Sequence, residues 1–163
     1  IMERFIEGVE KDKDQLDAFC SALKNGDAAE AEKQFNAYLG RTISIRDTFV
    51  RKSLKENFYQ GILLGILGCE KGWYVQSNQE SGNGYSDISV LIESEETGLL
   101  IEVKYAENAA FDAACKEALK QIDQNDYTKR LRDEGCRKIL KYGIACWKKQ
   151  CRVLLAQEPE AFR

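Results

Sequence analysis

Histidine is missing altogether from the 163 residues of this chain, proline occurs once, and no two of its six cysteines stand in a CxxC pair. The first absence removes whole classes of chemistry. Ser-His-Asp and Cys-His nucleophiles, histidine general bases and histidine-ligated catalytic metals are excluded in their ordinary forms. Any reaction must run on carboxylates, Lys, Tyr, Cys, backbone groups or a bound ion. Zinc would need thiolates and carboxylates gathered from distant positions. Cys20, Cys69, Cys115, Cys136, Cys146 and Cys151 are therefore read as small buried hydrophobes in a reducing compartment, without disulfides. Also missing is any run of about 20 apolar residues, the length a membrane span requires. The longest, Gly61 to Cys69, is far shorter, and no basic segment followed by an apolar core and a cleavage site opens the chain. A cytoplasmic location without membrane contact is expected. The opening at Ile1 is not a natural start, and the chain reads as a piece excised or processed from a longer protein.

What is present fits one well-filled core: 44% apolar and 31% charged residues, with a net charge of only −3. The charge is uneven. Residues 1–40 hold nine acidic and five basic side chains, whereas 127–152 hold nine basic (Lys129, Arg130, Arg132, Arg137, Lys138, Lys141, Lys148, Lys149 and Arg152) and two acidic. Two readings of that basic segment stand side by side: a docking surface for a polyanion, or the solvated face of a helix and a hairpin.

Apolar spacing predicts a helical hairpin, Asp14 to Leu23 and Ala28 to Leu39, with Gly26 as a stop and Asp27 as an N-cap. It predicts a longer helix over 47–71, starting near Asp47 or Ser53 and stopped by Gly72. Its stripe would be Val50, Leu54, Phe58, Ile62 and Ile66, with Gly61 and Gly65 admitting a close neighbour and Glu56 and Gln60 sharing a face. Strands follow at Trp73 to Glu80, Tyr85 to Ile92 and Leu99 to Tyr105, with turn composition at Ser81 to Gly84 and Glu93 to Gly98. A helix over Ala109 to Gln124, capped by Asn108, carries Gln121 at the edge of its buried stripe. A short helix over Asp126 to Glu134 and strands at Ile139 to Trp147 and Cys151 to Ala156 complete the order.

The run Leu99-Leu100-Ile101-Glu102-Val103-Lys104-Tyr105 is the informative one. Alternation puts Glu102 and Lys104 on one face and Ile101 and Val103 on the other. Charges in such a run are costly unless paired, hydrogen-bonded or holding a metal. A hairpin turn centred on Glu95 and Glu96 would set Asp87 opposite Lys104 and Ser89 opposite Glu102. Asp87 and Glu102 would then be diagonal neighbours about 7–8 Å apart, able to converge on one hard cation. A one-residue slip would separate them onto opposite faces.

An Asp opening one strand, Glu-x-Lys on the next, a Glu on the preceding helix and a Gln on the following one resemble the PD-(D/E)XK nuclease superfamily. The longer segments Glu56 to Gly65, Gln79 to Ile88 and Ile101 to Tyr105 look like the nuclease-like domain at the C-terminus of bacterial AAA-ATPase-like proteins. Ser86 stands where the eponymous motif has Pro. The resemblance covers about residues 45–156 and implies an α/β, restriction-endonuclease-like αβββαβ core with a mixed central sheet flanked by helices. It divides the chain into a helical hairpin or linker at 1–44, leading from an upstream ATPase-like module, and a nuclease-like domain at 45–163. It implies Mg²⁺ or Mn²⁺ held by Asp87 and Glu102, with the Val103 carbonyl as a third ligand and Glu56 holding a second metal or a metal-bound water. Lys104 would orient or help deprotonate the attacking water, Gln121 would orient ligand or substrate, and nucleic acid, DNA before RNA, would dock on 127–152. The rival expectation is a non-catalytic binding or interaction module in which Asp87, Glu102 and Lys104 form an ion-pair network that fixes the register.

Overall fold

The computed structural model describes residues 2–43, 52–79 and 86–161. Five helices and five strands follow in order: α1 (Met2–Asn25), α2 (Ala28–Thr42), α3 (Lys52–Gly68), β1 (Tyr74–Gln79), β2 (Ser86–Ile92), β3 (Thr97–Tyr105), α4 (Phe111–Gln124), α5 (Tyr127–Asp133), β4 (Lys138–Trp147) and β5 (Gln150–Gln157). One mixed sheet takes the strands in sequence order, with β3 and β4 parallel and every other pair antiparallel. The parallel pair is the one joined through α4 and α5, as a crossover requires. From α3 onward the order is the αβββαβ core expected, with helices on both faces of the sheet.

The N-terminal hairpin forms as its local chemistry dictates. Gly26 takes φ 75° and the Asp27 side chain accepts the Glu30 N–H at 3.0 Å, satisfying a donor that the helix start leaves unpaired. Phe19, Leu23, Phe35 and Leu39 share one core with Tyr59, Leu63 and Leu67 of α3 and with Ile88, Val90, Leu99, Ile101, Val103, Tyr142 and Ile144 of the sheet. Asn36 of α2 brackets the outer edge of β5, donating to the Cys151 carbonyl and accepting its N–H, while Glu32 accepts the Val153 N–H. Side-chain groups thus close an edge that would otherwise invite another strand.

The opposite face carries a smaller core of Leu100, Ile122, Leu131, Cys136 and Ile139 under α4 and α5. Here α4 comes to backbone contact: a Cβ on Gly143 would stand 2.4 Å from the Cys115 carbonyl oxygen. By alternation, Asp87 and Ser89 of β2 and Glu102 and Lys104 of β3 belong to this face.

Several expectations need correction. The hairpin pairs Ile92 with Thr97 and Ile88 with Ile101, so the turn centres between Ser94 and Glu95 and the register shifts by two residues. Continuing that count sets Asp87 level with Glu102 rather than with Lys104; a slip of two preserves the face. The cause is a short 3-10 turn, Glu93–Glu95, closed by Glu96 in the left-handed region at φ 48°, so Thr97 and Gly98 belong to the strand. On α3 the buried stripe is Tyr59, Leu63, Ile66 and Leu67 with Glu56 and Gln60, whereas Leu54 is 50% exposed and Phe58 is also exposed. Gly61 and Gly65 meet no heavy atom within 4 Å; the close approaches are at Gly98 and Gly143. Asn108 does not cap α4, whose N-cap is Ala110. Asp47, Val50, the turn at Ser81 to Gly84, and Tyr85 lie outside the described residues.

Candidate active site

Asp87, Glu102 and Lys104 come together. They are buried to 2%, 2% and 6% exposure, and the Lys104 ammonium lies 3.5 Å from Glu102 Oε1. Asp87 is flanked on two sides and held from one of them. Asn78 is its cross-strand partner on β1, and Asn125, the residue that ends α4, donates from Nδ2 to Asp87 Oδ2 at 2.8 Å. The remaining oxygens, Asp87 Oδ1 and Glu102 Oε2, are buried and accept nothing.

Burial, followed by the adjacent Asp87 carboxyl, pushes Glu102 up to about 9, against the opposing pull of Lys104. Burial and the neighbouring acid thus favour the protonated form of Glu102. The repulsion in such a buried couple is relieved in two ways: by a proton on Glu102, or by one hard cation held between the acids.

Among the described residues, the two edges of β3 differ beside these groups. The ladder to β2 is recorded as far as Ile88 and Ile101, while that to β4 runs on to Tyr105 and Cys146. The Ala106 N–H turns toward β4, donating to the Cys146 carbonyl; the Tyr105 N–H turns the other way and donates to Glu56 Oε1 at 3.1 Å. Peptide groups alternate along a strand, so the Val103 carbonyl points to the same vacated side. Glu56 reaches this gap from α3, in the opposite helix layer, with its Oε2 buried and unpartnered. Glu56 therefore stands beside β3 rather than among the Asp87 and Glu102 side chains, and among the described residues no three Asp, Glu, Cys or His side chains form a metal-holding group. Two carboxylates with an orphaned oxygen each, plus a main-chain carbonyl on the open side, are nonetheless a fitting donor set for a divalent ion that keeps open positions.

Gln121 is half-buried on α4, one turn before Asn125. The amide that reaches Asp87 is the later one, and sequence reasoning missed it; the signal was the four-residue step from Gln121 along the sheet-facing side of the helix. Asn78 was missed as well, although it follows from extending the β1 and β2 pairing. The basic segment proves divided. Lys141 is buried between Asp123 and Glu158, Arg152 pairs with Asp112, Arg137 with Glu96 and Arg130 with Glu134, and Arg132 donates to main-chain carbonyls. Burial pushes the Cys115 and Cys136 thiols up to about 11, away from thiolate chemistry.

A mixed five-stranded sheet between helices, with an acidic pair and a lysine where β2 and β3 part, defines a restriction-endonuclease-like α/β protein. The sequence model of the PD-(D/E)XK nuclease superfamily matches residues 54–155, and the chain belongs to that superfamily. Neither a curated protein nor a solved structure matches it. Nucleases of this superfamily generally use divalent metal ions, and no helix among the described residues is long and apolar enough to cross a membrane.

Proposed function

We propose that this chain is a divalent-metal-dependent phosphodiesterase acting on nucleic acid, DNA before RNA, with Mg²⁺ or Mn²⁺ as the ion. The observation that supports it is the side-by-side burial of Asp87 and Glu102, each with an unsatisfied oxygen, next to the Lys104 ammonium. Asp87 and Glu102, with the Val103 carbonyl, would hold the ion. When bound, that ion would neutralise phosphate charge and acidify a water for attack. Lys104 offsets charge on the scissile phosphate and orients the water. Asn125 keeps Asp87 from rotating by occupying Oδ2. Glu56 anchors the open edge through the Tyr105 N–H and leaves Oε2 for a second ion or its water, and Gln121 orients substrate. The hairpin before residue 45 is read as the connection to an upstream ATPase-like module, in a cytoplasmic protein, and the basic groups of 127–152 as a docking surface for the strand.

One observation favours a second reading. The raised Glu102 carboxyl, buried beside Asp87, lets a proton on Glu102 stand in for any ion, as in a binding module that keeps only the fold. The two readings separate in one experiment. Purified protein is incubated with single- and double-stranded DNA and RNA plus Mg²⁺ or Mn²⁺, beside Asp87→Ala and Lys104→Ala, and melting is followed with and without the ions. The nuclease reading expects cleavage that falls about 10²–10⁴-fold in Lys104→Ala, is lost in Asp87→Ala, and is accompanied by ion-induced stabilisation of the wild type that Asp87→Ala loses. Cleavage persisting in both variants, or no cleavage and no stabilisation at millimolar ion, overturns it.

A further inference from the structure

The face that carries Asp87 also carries a groove of about 770 Å³, between β1 and β2 on one side and α5 on the other. That is within the size range of small-molecule sites, about 300–1,000 Å³. Asp87 and Glu102 do not line it. It begins at Ser89 and Gln76, each two residues, or about 7 Å, along its strand from Asp87 and Asn78. Two features give it chemical character. Its aromatic surface comes from Tyr74, which is 61% exposed, with Trp73 and Tyr127. Its ionisable lining is Glu93, Glu134 and Arg130, and Arg130 is tied to Glu134 and to the Gln76 side-chain carbonyl at 3.1 Å. A lining with more carboxylate than cation repels a phosphodiester backbone. It suits a nucleobase, which offers a π-face to the rings and amino hydrogens to carboxylate and amide oxygens.

Asn78 joins the groove to the acidic pair. It is 5% exposed and paired in register with Asp87, and its Nδ2 has no hydrogen-bond partner. An orphaned buried donor costs free energy that an acceptor on a bound ligand would recover.

We propose that the groove takes the base of the nucleotide next to the scissile phosphate in a single strand, while Asn78 Nδ2 donates to that phosphate. The proposal rests on the nuclease reading. A base seated there cannot remain stacked and paired in a duplex, so the substrate class is single-stranded nucleic acid or a frayed end.

The test uses a short single-stranded oligonucleotide carrying one 2-aminopurine, with Ca²⁺ replacing Mg²⁺ to read binding, and Mg²⁺ or Mn²⁺ to read cleavage in parallel. The variants are Tyr74→Ala, at an exposed ring, and Asn78→Asp, which keeps shape and removes the donor; melting curves confirm that each folds. Expected are a fluorescence change on binding of the single strand and none with the duplex, a loss of affinity of about tenfold or more in Tyr74→Ala, and loss in Asn78→Asp as well. Wild-type binding in both variants, or equal binding of a duplex with its base unperturbed, overturns the groove. Cleavage with no effect of either variant refutes the groove and leaves the nuclease reading standing. Variant-sensitive binding of the base without cleavage in any ion refutes the nuclease reading and leaves a single-strand binding site. Absence of binding and cleavage together overturns both.

Discussion

The two halves of β3 are equally buried and do opposite things. From Thr97 to Ile101 the strand is paired on both edges, to β2 and to β4, and its side chains fill the cores on either face. From Glu102 to Tyr105 the pairing among the described residues is to β4, and on the other edge the Tyr105 N–H is met by a carboxylate from a helix. Burial alone therefore does not distinguish scaffold from site. The distinction is whether backbone pairing satisfies the polar groups or leaves some of them over. Among the described residues, the paired half leaves no polar group over, whereas the half beyond Ile101 carries two acids with unsatisfied oxygens and a lysine.

The comparison breaks first at Ile101, the last residue of the doubly paired half. It is fully buried, and Ile101→Ala should cost about 2–5 kcal/mol in urea unfolding through lost contacts and an unfilled cavity. A cost under 1 kcal/mol would mean that this half is not the rigid partner. Next is Glu56. Removing its carboxylate strands the buried Tyr105 N–H, so Glu56→Ala should cost about 1–3 kcal/mol, with Glu56→Gln restoring most of it through an amide oxygen. Equal losses in both would show that the acceptor is not what matters there.

The Glu102 effect is spread over pH, small per unit of pH and not confined to one condition. Glu102 rises from its ordinary 4.5 to about 9 on folding, so the folded chain keeps a proton that the unfolded chain releases. The contribution is fully present below about pH 4.5 and is lost as pH climbs toward 9, at up to about 1.4 kcal/mol per pH unit. Without added metal the wild type should therefore weaken across this window, Glu102→Gln should be flatter, and Mg²⁺ or Mn²⁺ should restore wild-type stability most at the alkaline end. Parallel pH profiles for wild type and Glu102→Gln would dismiss the carboxyl pair as the cause.

Much of this was legible in the chain. Asp87, Glu102 and Lys104 stood out because charges in an apolar strand demand a reason, and the helix and strand order followed from periodicity. The register was not legible, because the turn depends on Glu96 adopting a left-handed conformation that glycine usually takes, while the nearby Gly98 drew the turn toward itself. The buried side of α3 was not legible either. Leu54, Phe58 and Ile62 repeat at four residues as regularly as Tyr59, Leu63 and Leu67 do, and the polar Glu56 and Gln60 mark the second set as the solvent side unless their tertiary partners are known. Asn125 carries only the weak signal of standing one turn after Gln121, and Asn78 none within its own segment; each acquires meaning from the helix end or strand that brings it to Asp87.

Glycine gives the last and smallest contrast. Gly143 is level with Glu102, and any side chain there would press on the α4 backbone at Cys115, so the notch needs this glycine for its helix to sit where it does. Gly61 has no such reason. It lies within α3 with no described heavy atom within 4 Å of a built Cβ, and glycine in a helix interior loses more backbone freedom on folding than alanine does. Gly61→Ala should therefore raise stability by about 0.5–1 kcal/mol and leave any metal-linked stabilisation unchanged. A loss would show that this side of α3 is covered in the folded chain, and α3 would then be packed on both flanks instead of serving as the single-sided support from which Glu56 reaches the open edge of β3.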